Sequence, residues 1–134
     1  MKIVAVGYVY IRRRKLLLVR SKQKQAFYLP GGKPQSGEND IQTLTRELRE
    51  ELSVEVIGSS IQPVGIFQAE AYGEPPGTEV MLRCFSGVHT GRMRPSSEIE
   101  EIGFFSYSDY RMMPATAPAV LLLFDALRKK GLTL

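Results

Sequence analysis

The sequence has few of the residues on which thiol and zinc sites depend. Among 134 residues there are one cysteine, Cys84, one histidine, His89, and no tryptophan. A disulfide within the chain is therefore excluded, and so is an ordinary zinc site, because zinc is held by several cysteine and histidine ligands. The two residues are five apart in an extended apolar run, which places them on opposite faces of a strand and argues against a thiol nucleophile paired with a histidine base. Cys84 is most simply a small buried hydrophobe.

Long hydrophobic runs are also missing. The apolar stretch from Ile3 to Ile11 ends at the basic residues 12–15 and has no small-residue cleavage pattern after it, so it does not resemble a signal peptide. No stretch approaches the ~18 apolar residues that are needed to span a membrane. We therefore expect a cytoplasmic protein without a membrane partner.

The charge is only weakly one-sided, with 18 Lys and Arg residues against 14 Asp and Glu residues. This mild excess suits an anionic small molecule but does not identify one. The basic run from Arg12 to Lys15 lies between two strand-like runs and is most simply a solvated hairpin turn, with a phosphate-steering patch as the alternative. Because a nucleic-acid surface would need more basic clustering and interleaved aromatic residues, we do not expect nucleic acid as the main partner.

Strand-like and helix-like segments fill the chain, and its length suits one domain over residues 1–134. Runs rich in Val, Ile and aromatic residues predict strands at 3–11, 16–20, 54–57, 64–72, 79–90 and 102–107. Apolar residues at helical spacing predict helices at 40–52 and 115–130. Several strands with two well-separated helices favour an α/β fold, with a sheet covered by a helix on each side.

The helix predicted over residues 40–52 carries clustered carboxylates. Asn39 or Asp40 can cap its N-terminus, and an apolar stripe runs along it through Ile41, Leu44, Leu48 and Leu52. Glu47, Glu50 and Glu51 share one face, and we expect the leucine stripe on roughly the opposite side. Like charges at this spacing destabilise a helix by a few tenths of a kcal/mol per pair. A divalent cation such as Mg²⁺ would offset that repulsion, and a solvated charged face is the alternative.

The residues before this helix extend the pattern, which reads Gly32-x5-Glu38-x7-Arg46-Glu47-Leu48-x-Glu50-Glu51-x-Ser53-Val54. The stretch, residues 32–54, resembles the Nudix box, with its glycine and charged positions at the same fixed offsets. One position departs from the pattern: Ser53 stands where the family usually has a glycine that favours the left-handed end of a helix. We expect this serine to lower stability somewhat without removing a ligand.

The resemblance implies a Nudix hydrolase, in which a mixed β-sheet lies between α-helices (α/β/α). It implies that Glu47, Glu50 and Glu51 hold a divalent metal ion, Mg²⁺ or alternatively Mn²⁺. A backbone carbonyl at Gly31 or Gly32 would add a further ligand. The ion would neutralise the oxygens of a diphosphate and lower the pKa of a bound water.

The resemblance also assigns supporting roles. Arg46 would orient a glutamate, with Glu47 the favoured one, and Glu38 would brace the loop. The general base varies in the family between a box glutamate and a loop glutamate. The predicted catalytic set is therefore Glu47, Arg46 and Glu50 together with Glu101. The loop candidates for the base are Glu98, Glu100 and Glu101, of which Glu98 and Glu101 are favoured, with a solvated acidic loop as the alternative.

Substrate contacts are predicted outside the acidic cluster. Lys33 is a candidate for phosphate binding, with an exposed turn lysine as the alternative. Arg20 and Arg83 are weaker candidates of the same kind. The aromatic candidates for stacking on a base are Phe27, Tyr28 and Tyr72, although aromatic residues beside strands are more often core.

The substrate class implied by the resemblance is a nucleoside diphosphate linked to a further group. It includes nucleoside triphosphates, oxidised nucleotides, nucleotide sugars and dinucleotide polyphosphates. The alternative is a sensing domain that binds a nucleotide without cleaving it, but such a domain would be expected to lose box glutamates, whereas Glu47, Glu50 and Glu51 are all present. A monomer and a homodimer are both compatible with the sequence.

Overall fold

Three β-sheets and three α-helices make up the structure, a computed structural model that describes residues 1–134. The elements, in chain order, are β1 (Lys2–Val9), β2 (Ile11–Arg12), β3 (Lys15–Ser21), β4 (Gly31–Gly32), α1 (Asp40–Leu52), β5 (Glu55–Val56), β6 (Gln62–Glu70), β7 (Glu79–Ser86), β8 (His89–Thr90), β9 (Ile99–Phe105), α2 (Tyr107–Arg111) and α3 (Pro118–Lys129). A short 3-10 turn, Gly58–Ser60, separates β5 from β6. No helix is both long and apolar enough to cross a membrane.

The largest sheet is mixed, with strand order β4-β1-β7-β6. Strands β1 and β7 run parallel, whereas β4 and β6 each pair antiparallel with their neighbours. A second, antiparallel sheet has the order β2-β3-β9, and β5 pairs with β8. The Leu17 N–H donates to the Tyr10 carbonyl at 2.9 Å, which links β3 to the chain that leaves β1.

The strands bury both faces, as β3 shows. Leu16 and Leu18 belong to a core cluster that includes the apolar face of α3. Leu17 and Val19 belong to a second cluster that contains the leucines of α1. Because successive side chains of a strand point to opposite faces, the strand layer lies between the two helices. The α/β/α architecture with a mixed sheet is therefore confirmed.

The structure corrects several predicted boundaries. The segment predicted as one strand over 79–90 is divided into β7 and β8, which lie in different sheets. Tyr107, predicted to end a strand, begins α2, whose capping box joins Ser106 and Asp109. The C-terminal helix begins at Pro118 rather than at residue 115, since proline is well suited to the first helical position. Helix α1 has the predicted bounds, Asp40–Leu52.

Both ends of α1 are set by local chemistry. Asn39 is the N-cap, and its side chain and that of Gln42 form a reciprocal capping box. The helix ends at Ser53, which adopts the left-handed conformation with φ 59°. This is the conformation that glycine tolerates best, in agreement with the cost expected of a serine there. Ile41, predicted in the apolar stripe, is 46% exposed in the first turn.

Candidate metal and substrate site

Glu51 is buried beside the leucines of α1 rather than opposite them. The side chain is only 5% exposed, and Leu44 and Leu48 are fully buried. On a helix that turns about 100° per residue, Glu51 lies within about 60° of both leucines. The expectation that the leucine stripe faces away from all three carboxylates was therefore wrong for Glu51. A carboxylate is held at the edge of the hydrophobic core.

The glycine pair of β4 allows the carboxylates of α1 to approach the sheet. The Gly31 N–H donates to Glu51 Oε1 at 2.9 Å. A Cβ atom at Gly32 would lie 2.6 Å from the carboxyl carbon of Glu47, so any larger residue would displace that group. At Gly31, φ is +144°, and a Cβ atom would lie 1.9 Å from the Val6 carbonyl oxygen. Both glycines are thus required by close contacts.

Arg46 connects the loop before α1 to the carboxylates. Its Nε and Nη2 atoms donate to both carboxylate oxygens of Glu38, at 2.7 and 3.0 Å. Its Nη1 donates to Glu47 at 2.7 Å and, more weakly, to Glu50 at 3.4 Å. The Lys33 carbonyl accepts a further bond from Nη2 at 3.2 Å. This geometry agrees with an orienting role of Arg46 toward Glu47, which the resemblance implied.

Glu38 closes the loop at the start of the helix. It accepts bonds from the Gln35 N–H at 2.8 Å and from the Thr43 hydroxyl at 3.1 Å, in addition to those from Arg46. Hydrogen bonding to Arg46, followed by that to the Gln35 backbone, lowers the pKa of Glu38 to about 2. A carboxylate with these partners braces the loop, as expected from the resemblance.

The loop between β8 and β9 brings Glu98 to α1. In this loop, the N–H of Arg94 donates to the carbonyl of Leu52 at 2.9 Å, and the N–H of Ser96 donates to the carbonyl of Glu51 at 3.0 Å. The last carbonyls of a helix lack partners within the helix, so these bonds cap α1 and fix the loop against it. As a result, ligand oxygens of Glu47, Glu51 and Glu98 all lie within 4.8 Å of one another. These three residues are called the carboxylate cluster below.

Burial and mutual repulsion set the charges of the carboxylate cluster. Burial is the main cause that raises the pKa of Glu51 to about 8, despite the opposing bond from Gly31. Burial also raises the pKa of Glu47, although Arg46 opposes that rise. Hydrogen bonding to Ser97 lowers the pKa of Glu98. The hydrogen bond between Glu51 and Glu98 raises the pKa of Glu51 and lowers the pKa of Glu98. This is expected if a protonated Glu51 donates to an ionised Glu98.

The donor set fits a hard divalent cation. Three carboxylates converge on one point, and the glycine at position 32 leaves Glu47 room beside the strand. All donors are oxygens, which Mg²⁺ and Mn²⁺ prefer over nitrogen and sulfur ligands. In the absence of a cation Glu51 retains its proton at neutral pH, because the cost of burying its negative charge outweighs the bond from the Gly31 N–H.

Two predicted site residues lie outside the carboxylate cluster. The side chain of Glu50 is 49% exposed and makes its contact with Arg46. Glu101 lies on β9, with a 55% exposed side chain, and is bound by Arg20, whose Nε donates to it at 2.9 Å. Arg20 also bonds Glu100 and the Lys24 carbonyl. The structure therefore places Glu98, rather than Glu100 or Glu101, beside Glu47 and Glu51.

A cleft of about 350 Å³ opens from the carboxylate cluster. Its charged lining residues include Glu51, Glu98 and Lys33, and its apolar part is lined by Tyr28, Leu29, Tyr72, Leu82, Ala117, Ala119 and Val120. The rings of Tyr28 and Tyr72 meet edge to face, with centroids 6.2 Å apart. Lys24, which the sequence did not single out, also lines the cleft.

Phe27 is not available for stacking on a base. Its side chain is 6% exposed and packs against Phe105 in the core cluster of α3. Because Phe27 and Tyr28 are consecutive residues of an extended segment, they point to opposite sides. The predicted substrate contact of Phe27 is therefore wrong, and Tyr28 is the aromatic residue of this pair that faces the cleft.

The remaining candidates from the sequence make structural contacts. Arg83 pairs with Asp40 at 3.3 Å, at the start of α1. Cys84 is buried in the core, and burial raises its pKa to about 12, so the thiol is not a nucleophile. His89 Nδ1 lies 2.8 Å from the hydroxyl of Tyr8.

Comparisons with known proteins agree with this geometry. A family model described as NUDIX domain matches residues 1–124. No curated protein sequence matches the chain.

Several solved structures share the fold. The solution structure of the E. coli ORF135 protein superposes with a TM-score of 0.73 and 27% identity, covering 96% of this chain and 89% of that one. A NUDIX hydrolase from Nitrosomonas europaea gives a TM-score of 0.74 and 21% identity, covering 99% and 93%. The MutT NUDIX hydrolase from Burkholderia pseudomallei gives a TM-score of 0.73 and 20% identity, covering 96% and 97%.

Proposed function

This chain belongs to the NUDIX domain family of hydrolases, as its sequence predicts, and we propose that it cleaves a diphosphate linkage in a nucleoside-diphosphate-linked substrate with the help of a divalent cation. Members of the family are generally pyrophosphohydrolases. The observation that supports the proposal most is the carboxylate cluster beside a cleft whose lining has a charged part and an apolar part. The two parts of the cleft match the two parts of such a substrate.

Glu47 and Glu51 would hold the cation, Mg²⁺ or Mn²⁺, beside Glu98, and Glu50 and the carbonyl of Gly31 remain candidate ligands from the family pattern. When bound, the cation supplies positive charge that neutralises phosphate oxygens and lowers the pKa of water. Arg46 holds Glu47 in place through a 2.7 Å bond, so the ligand is oriented before the substrate arrives.

Glu98 is the residue best placed to accept a proton from the attacking water. Hydrogen bonding lowers its pKa, so it is ionised at neutral pH, and its side chain is exposed at the mouth of the cleft. Glu51, by contrast, is protonated at neutral pH in the absence of a cation. Of the predicted loop bases, Glu101 is bound by Arg20, which leaves Glu98 as the proposed base.

The substrate would lie along the cleft, with its diphosphate near Lys33 and the carboxylate cluster. Its nucleoside would then occupy the apolar part, against Tyr28 and Tyr72. Any base can stack on an aromatic ring. These contacts therefore favour a nucleoside but do not discriminate between bases.

The test follows the cleavage of a nucleotide panel with Mg²⁺ by chromatography of the nucleotide products, comparing the native chain with Glu51→Gln. The panel contains nucleoside triphosphates, oxidised nucleotides, nucleotide sugars and dinucleotide polyphosphates. Glu55→Gln is the matched control, because Glu55 is exposed and its contact is an ion pair with Arg49. We expect one substrate class to be cleaved, Glu51→Gln to abolish cleavage and Glu55→Gln to retain it. Tight nucleotide binding without turnover in the native chain would contradict the proposal and indicate a sensing domain.

A further inference from the structure

A buried tyrosine joins two walls of the cleft. Tyr110 lies on α2 and is fully buried. Its hydroxyl donates to the Phe27 carbonyl at 2.7 Å and accepts a bond from the Ala117 N–H at 2.8 Å. The ring packs against Phe105 and Phe124, with centroids 6.2 and 5.6 Å away. Both hydrogen-bonding functions of the hydroxyl are therefore used within the core.

The two backbone groups that Tyr110 binds belong to two chain segments that contribute to the lining of the cleft. Phe27 directly precedes Tyr28, whose ring lines the cleft. Ala117 lines the cleft itself and is the N-cap of α3, where no side chain caps the helix. The next turn of α3 contributes Ala119 and Val120 to the same wall. The hydroxyl of Tyr110 thus spans the distance between the Tyr28 wall and the α3 wall.

We propose that Tyr110 is a positioning residue that fixes the width of the apolar part of the cleft and thereby sets the affinity for the nucleoside part of the substrate. This inference rests on the proposed function, which places the nucleoside there. The carboxylate cluster is on α1 and the loop before β9, and neither is bonded to Tyr110. Loss of the hydroxyl should therefore alter nucleoside binding and leave the hydrolytic step intact.

The first test replaces Tyr110 by Phe, which retains the ring and removes both hydrogen bonds. Tyr107→Phe is the matched control on the same helix, since its hydroxyl makes no hydrogen bond within the structure. We expect Tyr110→Phe to raise KM for the cleaved nucleotide about tenfold, which corresponds to about 1.4 kcal/mol. We expect kcat and competitive inhibition by inorganic pyrophosphate to stay at their native values, because pyrophosphate has no nucleoside.

An unchanged KM in a folded Tyr110→Phe protein would overturn the inference. So would an equal loss in nucleotide and pyrophosphate binding, since that would indicate general structural damage. If the native chain cleaves no nucleotide, the proposed function fails instead, and the two failures are therefore distinguished.

A second test uses the native chain and does not depend on the variant folding. The Ala117 amide proton is followed by hydrogen exchange, free and with a nucleotide analogue whose bridging oxygen is replaced by methylene. We expect exchange at Ala117 to slow with the analogue and to remain unchanged with inorganic pyrophosphate, because of the two ligands only the analogue carries a nucleoside that would contact both walls. Equal exchange with and without the analogue would overturn the inference.

Discussion

Glu51→Gln should weaken the enzyme and stabilise the cation-free protein at the same time. The amide is similar in size to the carboxyl group and retains an oxygen that can accept the 2.9 Å bond from the Gly31 N–H. It removes the charge whose burial raises the pKa of Glu51 to about 8. The two effects have one cause, since a carboxylate placed for a cation is costly to bury without one.

The magnitude follows from the linkage between proton binding and folding. The pKa of Glu51 rises from 4.5 in the unfolded chain to about 8 in the folded one. The folded state therefore holds the proton more tightly, so the stability from this group is fully present below pH 4.5 and is lost as the pH rises through 8. At about 1.36 kcal/mol per pKa unit, the free energy of unfolding should fall by about 3 kcal/mol between about pH 5 and pH 8. Glutamine has no such dependence.

The assay is urea unfolding at about pH 5 and about pH 8, with and without Mg²⁺, for the native chain, Glu51→Gln and Glu55→Gln. Without Mg²⁺ we expect Glu51→Gln to be more stable than the native chain at the higher pH and similar to it at the lower. With Mg²⁺ the native chain should gain stability by mass action, and Glu51→Gln should gain less. Hydrolysis by the variant should fall by at least about 100-fold.

The outcome that would refute this reasoning is a native chain whose stability without Mg²⁺ does not fall relative to Glu51→Gln as the pH rises. Glu51 would then be ionised at low pH, and its burial would not govern its charge. Native hydrolysis by the variant would instead refute its role as a ligand. Glu55→Gln should follow the native pH dependence, because exposed ion pairs contribute little to stability.

Four further substitutions test single features of the site. Gly32→Ala should lower the affinity for Mg²⁺ about tenfold in a titration, because the new Cβ would displace the carboxylate of Glu47. It should leave the free energy of unfolding nearly unchanged, since the displaced group is the end of a flexible side chain. Glu98→Gln should lower kcat at least about 100-fold in the same nucleotide-cleavage assay, whereas Glu101→Gln should retain native kcat. Ser53→Gly should raise the free energy of unfolding by about 1 kcal/mol in urea, because glycine adopts φ 59° without strain.

Each of these predictions has an opposite outcome that would contradict it. Native Mg²⁺ affinity in Gly32→Ala would mean that Glu47 does not bind the cation. A larger loss from Glu101→Gln than from Glu98→Gln would assign the base to the other glutamate. A decrease in stability for Ser53→Gly would show that the serine makes a contact that compensates for its backbone conformation.

Much of the fold could be predicted from the sequence because local and global signals agree there. Helix α1 has a polar cap, an apolar stripe and a left-handed end, all visible in the residues from Asn39 to Ser53. Strand pairing was harder to predict from the sequence. The predicted strand over 79–90 is divided into β7 and β8 because its two halves join different sheets. The short helix α2 also escaped prediction, although the capping box of Ser106 and Asp109 is a recognisable signal in hindsight.

The site could be predicted only as far as it is local in the chain. Glu47 and Glu51 were identified from the box, and the structure brings them together. The choice between Glu98 and Glu101 depended on how the loop caps α1 through Arg94 and Ser96, a contact between distant parts of the chain. That the whole of residues 1–134 forms one domain remains a prediction.

The places where this sequence departs from the rules of stability converge on the same end of α1. Glu51 places a carboxyl group beside buried leucines, and Glu47 shares its face. Ser53 adopts a left-handed conformation that is unfavourable for serine. The facing strand, β4, consists of two glycines in contact with side chains of the helix. Each feature alone lowers stability, and none is required to pack the core. In a natural sequence, the residue at each position normally favours the local structure that the fold requires. Several unfavourable residues close together are therefore typical of a functional site, where ligand binding rather than stability determines the residues.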